Sequence, residues 1–593
     1  MKYSVSSYRR GELENSSLLR SRRRFVQGLL GSGLAGTGLG SCVTRTLNVE
    51  QTGVGSNLRR ELAGREFNLV IEEKAVNYTG SPRTATAING SIPAPTLRWK
   101  EGDEVTVNVT NRLSEPTSIH WHGMILPYQM DGVPGISFPG IAPGQTFRYR
   151  FKVQQSGTYW YHSHSAFQEM TGMYGAIIIE PADGESIAVD RDHLVMLSEW
   201  TDENPKYVFQ KLKTMGHLYN FNQSTLPQLM RDIQEYGLQA AINRRDMFNV
   251  MRMKPTDLGD LSAATLTYLM NGLTPEDNET RLYEKGQSVR LRFINAAGNT
   301  FFDVRIPELP MTVVRVDGLD IEPVTIDEFR VGPGEAFDVI VRPVDDAYTI
   351  FAETMERTGY ARGTLAVRPG LSAPIPEPRQ IQWLSMADMM GNMAAMDGSA
   401  TGMMHGEGDH GTMQMAGSDP VRARHATTEF GPSTDMRVDY PRTNLDDPGV
   451  GLRETSRRVL TLADLRSLDR EAEAQAPERE IELHLTGNME RYSWSIDGLE
   501  YSKSTPVHFR HGERLRVHLH NDTMMTHPMH LHGMWSDLED ASGNFLVRRH
   551  TIPVQPAQRI SFSVTADALG RWAWHCHLLL HMDAGMFREV VVA

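Results

Sequence analysis

One ten-residue stretch decides the fold, because it occurs three times in the chain. It reads GDEVTVNVTN at residues 102–111, GQSVRLRFIN at residues 286–295 and GERLRVHLHN at residues 512–521. In each copy apolar and polar residues alternate between a glycine and an asparagine, which is typical of a half-buried β-strand bounded by turns. Repeats this far apart in the sequence mark whole domains rather than the short units of a solenoid.

A second stretch repeats with the first and in the same order. It reads IAPGQTF at residues 141–147 and VGPGEAF at residues 331–337, with a looser echo, VQPAQRI, at residues 554–560. Alternation predicts antiparallel strands at 105–109, 147–153, 289–294, 337–341, 515–519 and 560–564. The sequence therefore predicts an all-β protein with three homologous β-sandwich domains. Residues 207–268 lack the alternation and are predicted to form a helical insertion in the middle domain.

Composition excludes several classes of protein. The 593 residues are 40% hydrophobic and hold 60 Lys and Arg against 73 Asp and Glu, a net charge of -13 that disfavours nucleic-acid binding. No window has the roughly 20 uninterrupted apolar residues that a membrane-spanning helix needs. Only two cysteines are present, Cys42 and Cys576, too few for a disulfide framework, a zinc ribbon or a Cys-ligated iron–sulfur cluster. The 31 Met and 21 His are instead potential metal ligands.

The N-terminus is predicted to be an export signal. The residues SRRRFVQ at 21–27 place twin arginines before a weakly apolar, glycine-rich run that ends at Gly40. This pattern resembles a twin-arginine signal, which would occupy residues 1–42 and direct the folded protein to the periplasm; a basic tail with a short helix is the alternative. The residues LGSC at 39–42 resemble a lipoprotein cleavage box. Cys42 would then carry a lipid anchor, unless it is an ordinary unpaired cysteine.

The three repeats differ in their histidines. After the first repeated stretch, the first domain has HWHG at 120–123 and the third has HPMHLHG at 527–533, whereas the second has AAGN at 296–299. After the second stretch, the first domain has HSH at 162–164 and the third has HCH at 575–577. Residues two apart on a strand share a face, so each pair points into one space. A metal site shared by the first and third domains is the simplest arrangement, with the middle domain as a spacer.

The remaining potential ligands identify the metal as copper. Cys576 lies between two histidines and is followed by His581 and Met586, with His527 upstream. Two histidines, a thiolate and a weak axial methionine form the blue-copper ligand set. Zinc would leave the methionine unexplained, and non-haem iron usually requires a carboxylate.

These four histidine segments resemble the signature segments of the multicopper oxidases, which consist of three cupredoxin domains of Greek-key topology. The resemblance runs from about Glu66 to Ala593, and DGVPG at 131–135 and TMMTH at 523–527 are similar to the periplasmic copper-resistance protein A group. It implies four coppers per chain and dioxygen as electron acceptor. The domains are predicted at residues 60–185, 186–370 and 433–593.

The resemblance also implies a role for each ligand. A type 1 copper would be held by His527, Cys576, His581 and Met586. A type 2 copper would be held by His120 and His530, and a type 3 pair by His122, His162, His164, His532, His575 and His577. Asp131 matches the family's acidic residue beside the type 2 copper and is the candidate proton donor, with an Asp-Gly turn as the alternative interpretation. Residues 578–580 are leucines where some members have a second carboxylate.

The linker predicted at residues 371–432 is rich in methionine. Nine of the 30 residues from Met386 to Met415 are methionine, whereas the whole-chain frequency would give about two. The stretch is polar and glycine-rich, so we expect a mobile loop rather than core packing, and thioethers favour Cu(I). A linker of biased composition without metal-binding function is the alternative.

The predicted function is a periplasmic multicopper oxidase that contributes to copper resistance, with Cu(I) as the electron donor. The alternatives are a laccase-like oxidase of phenolic donors and a non-catalytic protein that sequesters copper. A complete oxygen-reducing ligand set argues against mere storage. Other periplasmic copper-resistance proteins are candidate partners.

Overall fold

A computed structural model describes residues 61–220, 225–251, 255–392, 421–469 and 476–593. The predicted export signal, including Cys42, and residues 393–420 of the predicted linker lie outside the described residues. No helix in the described ranges combines the length and the apolar character needed to cross a membrane.

The first sandwich consists of two sheets around one apolar core. Its strands are β1 (Glu61–Ala63), β2 (Glu66–Val76), β3 (Arg83–Ile88), β4 (Ala94–Lys100), β5 (Glu104–Asn111), β6 (His120–His122), β7 (Thr146–Lys152), β8 (Gly157–His162) and β9 (Tyr174–Glu180). The sheets have the orders β1-β4-β9-β8-β6 and β3-β2-β5-β7. Alternate residues of β5 are buried, as its sequence predicts.

The second sandwich contains the helical insertion. Its strands are β10 (Arg191–Thr201), β11 (Leu266–Met270), β12 (Glu279–Leu282), β13 (Val289–Asn295), β14 (Phe302–Arg305), β15 (Met311–Val316), β16 (Leu319–Ile326), β17 (Glu328–Val331), β18 (Ala336–Val341), β19 (Ala347–Thr354) and β20 (Tyr360–Ala366). Between β10 and β11 lie α1 (Pro205–Thr214), α2 (Leu226–Tyr236) and α3 (Leu238–Met251). The predicted insertion is confirmed, although its last three residues belong to β11, which pairs with β10 and packs into the core.

The third sandwich has the same strand order as the second. Its strands are β21 (Arg479–Asn488), β22 (Ser493–Ile496), β23 (Val507–Phe509), β24 (Arg514–Asn521), β25 (His527–Leu531), β26 (Ser536–Glu539), β27 (Phe545–Arg549), β28 (Thr551–Val554), β29 (Arg559–Thr565), β30 (Gly570–Cys576) and β31 (Phe587–Val592). The sheets have the orders β22-β21-β24-β29-β26-β27 and β23-β31-β30-β25-β28. The buried apolar residues of the second and third sandwiches form one contiguous cluster.

The repeated stretch occupies the same place in all three sandwiches. Its strand is β5, β13 or β24, and it pairs in parallel with β2, β10 or β21 on one side. On its other side it pairs antiparallel with β7, β18 or β29, the strand that follows the second repeated stretch. The prediction of three homologous sandwiches is confirmed.

The methionine-rich stretch begins with a helix rather than a loop. A short helix, α4 (Met386–Met390), starts at Ser385, whose side chain accepts from the backbone N–H of Asp388 while the Asp388 carboxylate accepts from that of Ser385. Met389 is fully buried in the core, and Asp388 is ion-paired with Arg453. The expectation of a loop is therefore wrong for these five residues, because a capping box and a buried apolar side chain fix them in place.

A buried ion-pair network joins the second and third sandwiches. Arg549, at the end of β27, lies 2.7 Å from Asp317 and 2.6 Å from Glu335, and all three side chains are at most 3% exposed. Asp317 also accepts from the backbone N–H of His550 at 3.2 Å. The network thus fixes the start of β28, which pairs with the histidine-bearing strand β25.

We predict that Arg549→Ala lowers the free energy of unfolding by about 3–5 kcal/mol, because Asp317 and Glu335 become buried carboxylates without a partner. Chemical denaturation followed by tryptophan fluorescence measures the change. Arg112→Ala is the control, since Arg112 is 64% exposed and pairs with Glu72 at 3.4 Å; its effect should stay below about 1 kcal/mol. Equal effects of the two substitutions would contradict a role for the network.

Candidate metal centres

Strands β6 and β8 present the histidines of the first sandwich. They pair so that His120 lies opposite His162. Because side chains alternate along β6, His120 and His122 share one face while Trp121 packs into the apolar core. The HWH pattern therefore places two imidazoles on the surface that faces the third sandwich.

Strands β25 and β30 present the histidines of the third sandwich. His530 lies opposite His575, and Met529 lies opposite Cys576. His532 follows β25 and His577 follows β30, so each strand extends its alternation by one further ring.

The eight predicted histidines of these four segments come together in one cluster. Their nitrogen atoms form three groups in which all ligand atoms lie within 4.8 Å of one another. The groups are His120, His122 and His530; His122, His162 and His577; and His164, His532 and His575. Nitrogen–nitrogen distances are 3.0 Å between His532 and His575 and 3.2 Å between His122 and His577.

The histidine rings are oriented for metal binding. For several of them Nδ1–H donates to a fixed acceptor on the outside of the cluster: a backbone carbonyl for His120, His162, His530 and His575, and a carboxylate for His532. Among the described residues, Nε2 of His120, His162 and His530 is buried and has no hydrogen-bond partner. Ligating histidines in metalloproteins have this arrangement, so the donor set fits metal ions.

Burial keeps most of these imidazoles neutral. Burial and neighbouring histidines together lower the pKa of His575 to about 3. Burial together with neighbouring histidines also lowers the pKa well below its ordinary value for His122, His162, His164, His527, His530, His532 and His577. A neutral imidazole is the form that binds a metal ion.

Asp131 lies where two of the rings meet. Its Oδ2 accepts from His532 Nδ1 at 2.9 Å, and its Oδ1 lies 3.4 Å from His120 Nδ1. Its backbone carbonyl also accepts from His120 at 2.8 Å. The side chain is 1% exposed. Because His120 belongs to the first sandwich and His532 to the third, the carboxylate contacts both sandwiches at the edge of the cluster.

A second cluster surrounds Cys576. The Cys576 Sγ lies 3.5 Å from His527 Nδ1 and 3.9 Å from His581 Nδ1, and these two nitrogens are 3.2 Å apart. All three residues are fully buried. Burial raises the pKa of the Cys576 thiol, so a thiolate here requires a bound cation beside it.

The helix α5 (Leu579–Ala584) brings His581 and Met586 to the same place. Met586 is fully buried, its N–H donates to the carbonyl of His581, and its carbonyl accepts from the N–H of Cys576. Leu579 and Leu580, which belong to the leucine stretch at residues 578–580, are buried in the core.

The two clusters are joined through the backbone. Cys576 contributes its sulfur to the smaller cluster, while its neighbours His575 and His577 contribute nitrogens to different groups of the larger one. One strand end thus connects both clusters by covalent bonds alone.

Sequence reasoning missed Asp260. It lies between α3 and β11, and its Oδ2 is 2.9 Å from His581 Nε2 and accepts from the Tyr492 hydroxyl at 2.7 Å. The ring of Trp494 stacks on His581 at 3.8 Å between centroids. No motif marks Asp260 in the insertion, so only the fold places it beside the Cys576 cluster.

Two further residues near the eight-histidine cluster were missed. Glu169 is buried, and its carboxylate lies 2.8 Å from His162 Nδ1. Its position five residues after His164 is the sequence feature that could have identified it. His550 packs its ring against His122 at 4.7 Å. Gly123, at φ 78°, leaves room for His550, since a Cβ there would lie 2.4 Å from its ring.

The fold resembles solved multicopper oxidases. It superposes on Fet3p, a multicopper oxidase that functions in iron import, with a TM-score of 0.62, 19% identity and 90% of each chain covered. It superposes on the laccase from Botrytis aclada with a TM-score of 0.60, 20% identity, and 91% and 90% of the two chains covered. These likenesses concern the fold alone.

Sequence identity to some other proteins is higher than to these solved structures. The chain is 52% identical to copper resistance protein A of Escherichia coli over 97% of its own length and 99% of the relative's. It is 52% identical to the copper resistance protein A homolog of Pseudomonas syringae pv. tomato, covering 96% and 99%. Identity to multicopper oxidase MmcO of Mycobacterium tuberculosis is 28%, covering 97% and 98%.

The family comparison agrees domain by domain. Multicopper oxidase models match residues 70–184, 191–369 and 475–593, one for each sandwich. With the metal-binding geometry, these matches show that the chain belongs to the multicopper oxidase family and is an oxidoreductase that uses copper.

Proposed function

We propose that the chain holds four coppers and couples Cu(I) oxidation to the reduction of dioxygen to water. The Cys576 cluster, with Met586, would hold the type 1 copper. His120 and His530 would hold the type 2 copper, and the remaining six histidines the type 3 pair: His122, His162, His164, His532, His575 and His577. The observation that carries this proposal is the covalent junction of two buried metal-ligand clusters at Cys576.

Copper at these ligands supplies one-electron chemistry and dioxygen reduction. The chain holds the metal ligands in position, provides a covalent path between the two clusters and supplies protons. Cys576 and its two flanking histidines provide the shortest covalent path between the clusters. Asp131 contacts the rings of His120 and His532 at the edge of the larger cluster, where a carboxylate can hold and pass a proton.

Three observations favour Cu(I) as the donor. The six methionines of residues 393–415, which follow helix α4, are neutral, soft ligands suited to Cu(I). Asp260 places a carboxylate beside His581, and a carboxylate there can attract a cation. Relatives with 52% identity are named for copper resistance. A laccase-like activity on phenols and plain copper sequestration are the alternatives that the experiments below separate.

The twin-arginine pattern at residues 21–27 supports export to the periplasm, where the protein would contribute to copper resistance. We also propose that Cys42 carries a lipid anchor. Other periplasmic copper-resistance proteins would be its partners.

We predict that Cys576→Ser abolishes the intense blue absorption and the turnover, because the thiolate ligand and the path between the clusters are both lost. Metal analysis should still find about three of four coppers, since the eight histidines are intact. Visible spectroscopy and oxygen uptake measure the outcome, with Cys42→Ser as the matched control that keeps both properties. Blue absorption in Cys576→Ser would contradict the ligand assignment.

Asp131→Asn should slow oxygen reduction by roughly 100-fold or more, the usual contribution of a positioned proton donor. The amide can still accept from His532 but cannot carry a proton. Anaerobic bleaching of the blue absorption by the donor should keep its rate and serve as the internal control, while its return on adding oxygen slows. Return at the wild-type rate would mean that Asp131 only orients the rings.

Deleting residues 393–415, which spares helix α4, should raise the KM for Cu(I) several-fold and leave phenol oxidation unchanged or improved. Oxygen uptake with Cu(I) and with a dimethoxyphenol, measured side by side, tests this. Replacing the six methionines in this range by leucine keeps the length and should have the same effect on Cu(I).

Unchanged Cu(I) kinetics in both variants would contradict a role for the thioethers. Oxygen uptake with the phenol but not with Cu(I) would establish the laccase alternative. No uptake with either donor would favour sequestration.

A further inference from the structure

A third group of metal-ligating side chains lies where the segment before β21 packs against the third sandwich, and none of its members is among the ligands assigned above. It consists of His425, Glu429, His484 and Asp522, whose ligand atoms all lie within 4.8 Å of one another. Glu429 lies in a short 3-10 turn, His484 in β21, and Asp522 directly after β24. The side chains of Glu429, His484 and Asp522 are at most 2% exposed.

Both carboxylates are held by backbone amides with one oxygen left for the centre. Val438 N–H donates to Asp522 Oδ1 at 2.8 Å, and Ala426 N–H donates to Glu429 Oε1 at 2.9 Å. The other oxygens, Asp522 Oδ2 and Glu429 Oε2, both face the two histidines. Such outer hydrogen bonds orient ligands in metal sites.

The distances suit a tetrahedral ion. Glu429 Oε2 lies 2.7 Å from His425 Nδ1 and 3.4 Å from His484 Nδ1. Asp522 Oδ2 lies 3.7 Å from His425 Nδ1 and 2.6 Å from His484 Nδ1. Metal–ligand bonds of about 2.0–2.2 Å place tetrahedral ligand atoms about 3.4 Å apart, so only the two short contacts must lengthen, each by less than about 1 Å.

In the absence of an ion, protons take its place. Burial lowers the pKa of His484, but its hydrogen bonds to Asp522 and Glu482 outweigh this and raise the pKa to about 10. The hydrogen bond to Glu429 raises the pKa of His425 as well. A divalent ion that displaces two protons leaves the charge of the cluster unchanged.

A neighbouring histidine packs against the cluster. His520, 1% exposed, stacks on His484 with 4.6 Å between centroids and 6° between planes. Within the described part of the chain, neither of its ring nitrogens has a hydrogen-bond partner. Its Nε2 is 3.5 Å from Glu482, which also contacts His484 Nε2 at 3.1 Å. The chain thus buries an unsatisfied imidazole against the cluster.

We propose that His425, Glu429, His484 and Asp522 form a fifth metal site, which takes a divalent first-row cation. Two imidazoles and two carboxylates are borderline-to-hard donors without sulfur, a set that selects against Cu(I). Cu2+ binds such donors most tightly among the divalent first-row ions. If the proposed cuprous-oxidase function holds, Cu2+ is also the ion that the reaction releases.

The site is also linked to the proposed type 1 copper, and this part rests on the proposed function. Asp522 is followed by Thr523, whose hydroxyl lies 2.6 Å from His527 Nε2. An ion that binds the Asp522 carboxylate shifts this side chain and, through the backbone, the adjacent Thr523. Occupancy therefore alters the hydrogen bond to His527 and with it the blue absorption and the potential of the copper.

The test uses the full chain with all four coppers loaded, and Zn2+ as a probe that is silent in the visible range. Titration calorimetry, with metal analysis after gel filtration, should find about one tightly bound Zn2+ per chain. Glu429→Gln should weaken Zn2+ binding at least tenfold while the blue absorption remains. The matched control is Glu480→Gln, since Glu480 lies 3.5 Å from His518 on the same pair of strands, outside the cluster; its affinity should equal wild type.

Unchanged Zn2+ affinity in both Glu429→Gln and His425→Asn would overturn the site. X-ray absorption of the Zn2+-loaded wild type provides a test that needs no variant: two imidazoles and two oxygens are expected, and sulfur ligands would overturn the assignment. Zn2+ should shift the blue absorption of wild type but not of Thr523→Val, which should keep its Zn2+ affinity. Zn2+ binding without any shift would overturn the link alone, whereas Zn2+ binding by a chain without blue copper would overturn the proposed function alone.

Discussion

The burial of imidazoles at the contact between the first and third sandwiches is the constraint on which the structure depends. His120, His162 and His530 are each at most 2% exposed, and each has a ring nitrogen without a hydrogen-bond partner among the described residues. Each such buried polar group costs about 1–3 kcal/mol unless a partner is supplied. Under the proposed function metal ions supply it, so their binding free energy would contribute to the stability of the contact between these sandwiches.

The second sandwich has no predicted copper ligand, yet it does more than separate the other two. It provides Asp260 beside His581, and the carbonyl of Gly298 accepts from the N–H of Leu579 at 2.7 Å, which fixes the start of the helix that carries His581. Asp317 and Glu335 neutralise the buried Arg549. The middle repeat therefore has no histidines at the positions of the predicted ligands, but it supplies residues that orient His581 and Arg549 of its neighbour.

Local patterns were sufficient to predict the sandwiches and to select the histidines that meet. Alternation fixes which face of a strand is buried, and a His-x-His pair on such a strand has only one direction to point. The capping box that starts α4 at Ser385 is also local, and it could have corrected the expected loop. The predicted copper types remain predictions, because geometry groups the ligands without showing which ion each group holds.

Contacts between distant segments could not be predicted in the same way. Asp260 reaches His581 across 321 residues, and His425 approaches Asp522 across 97. Neither pair carries a spacing that strand or helix periodicity would reveal. Only the path of the insertion brings Asp260 to His581, and only the path of the segment before β21 brings His425 to Asp522.

The three donor sets differ in softness, and this difference has a physical consequence. The methionine-rich stretch offers thioethers, the Cys576 cluster mixes thiolate with imidazole, and the proposed site at His484 and Asp522 offers imidazole and carboxylate. A copper ion that loses an electron becomes harder and shifts its preference from the first set to the last. Under the proposed function, oxidation itself would therefore move the ion away from the methionines that bind Cu(I). The short link from Asp522 through Thr523 to His527 would then let the oxidised ion act on the site that oxidised it.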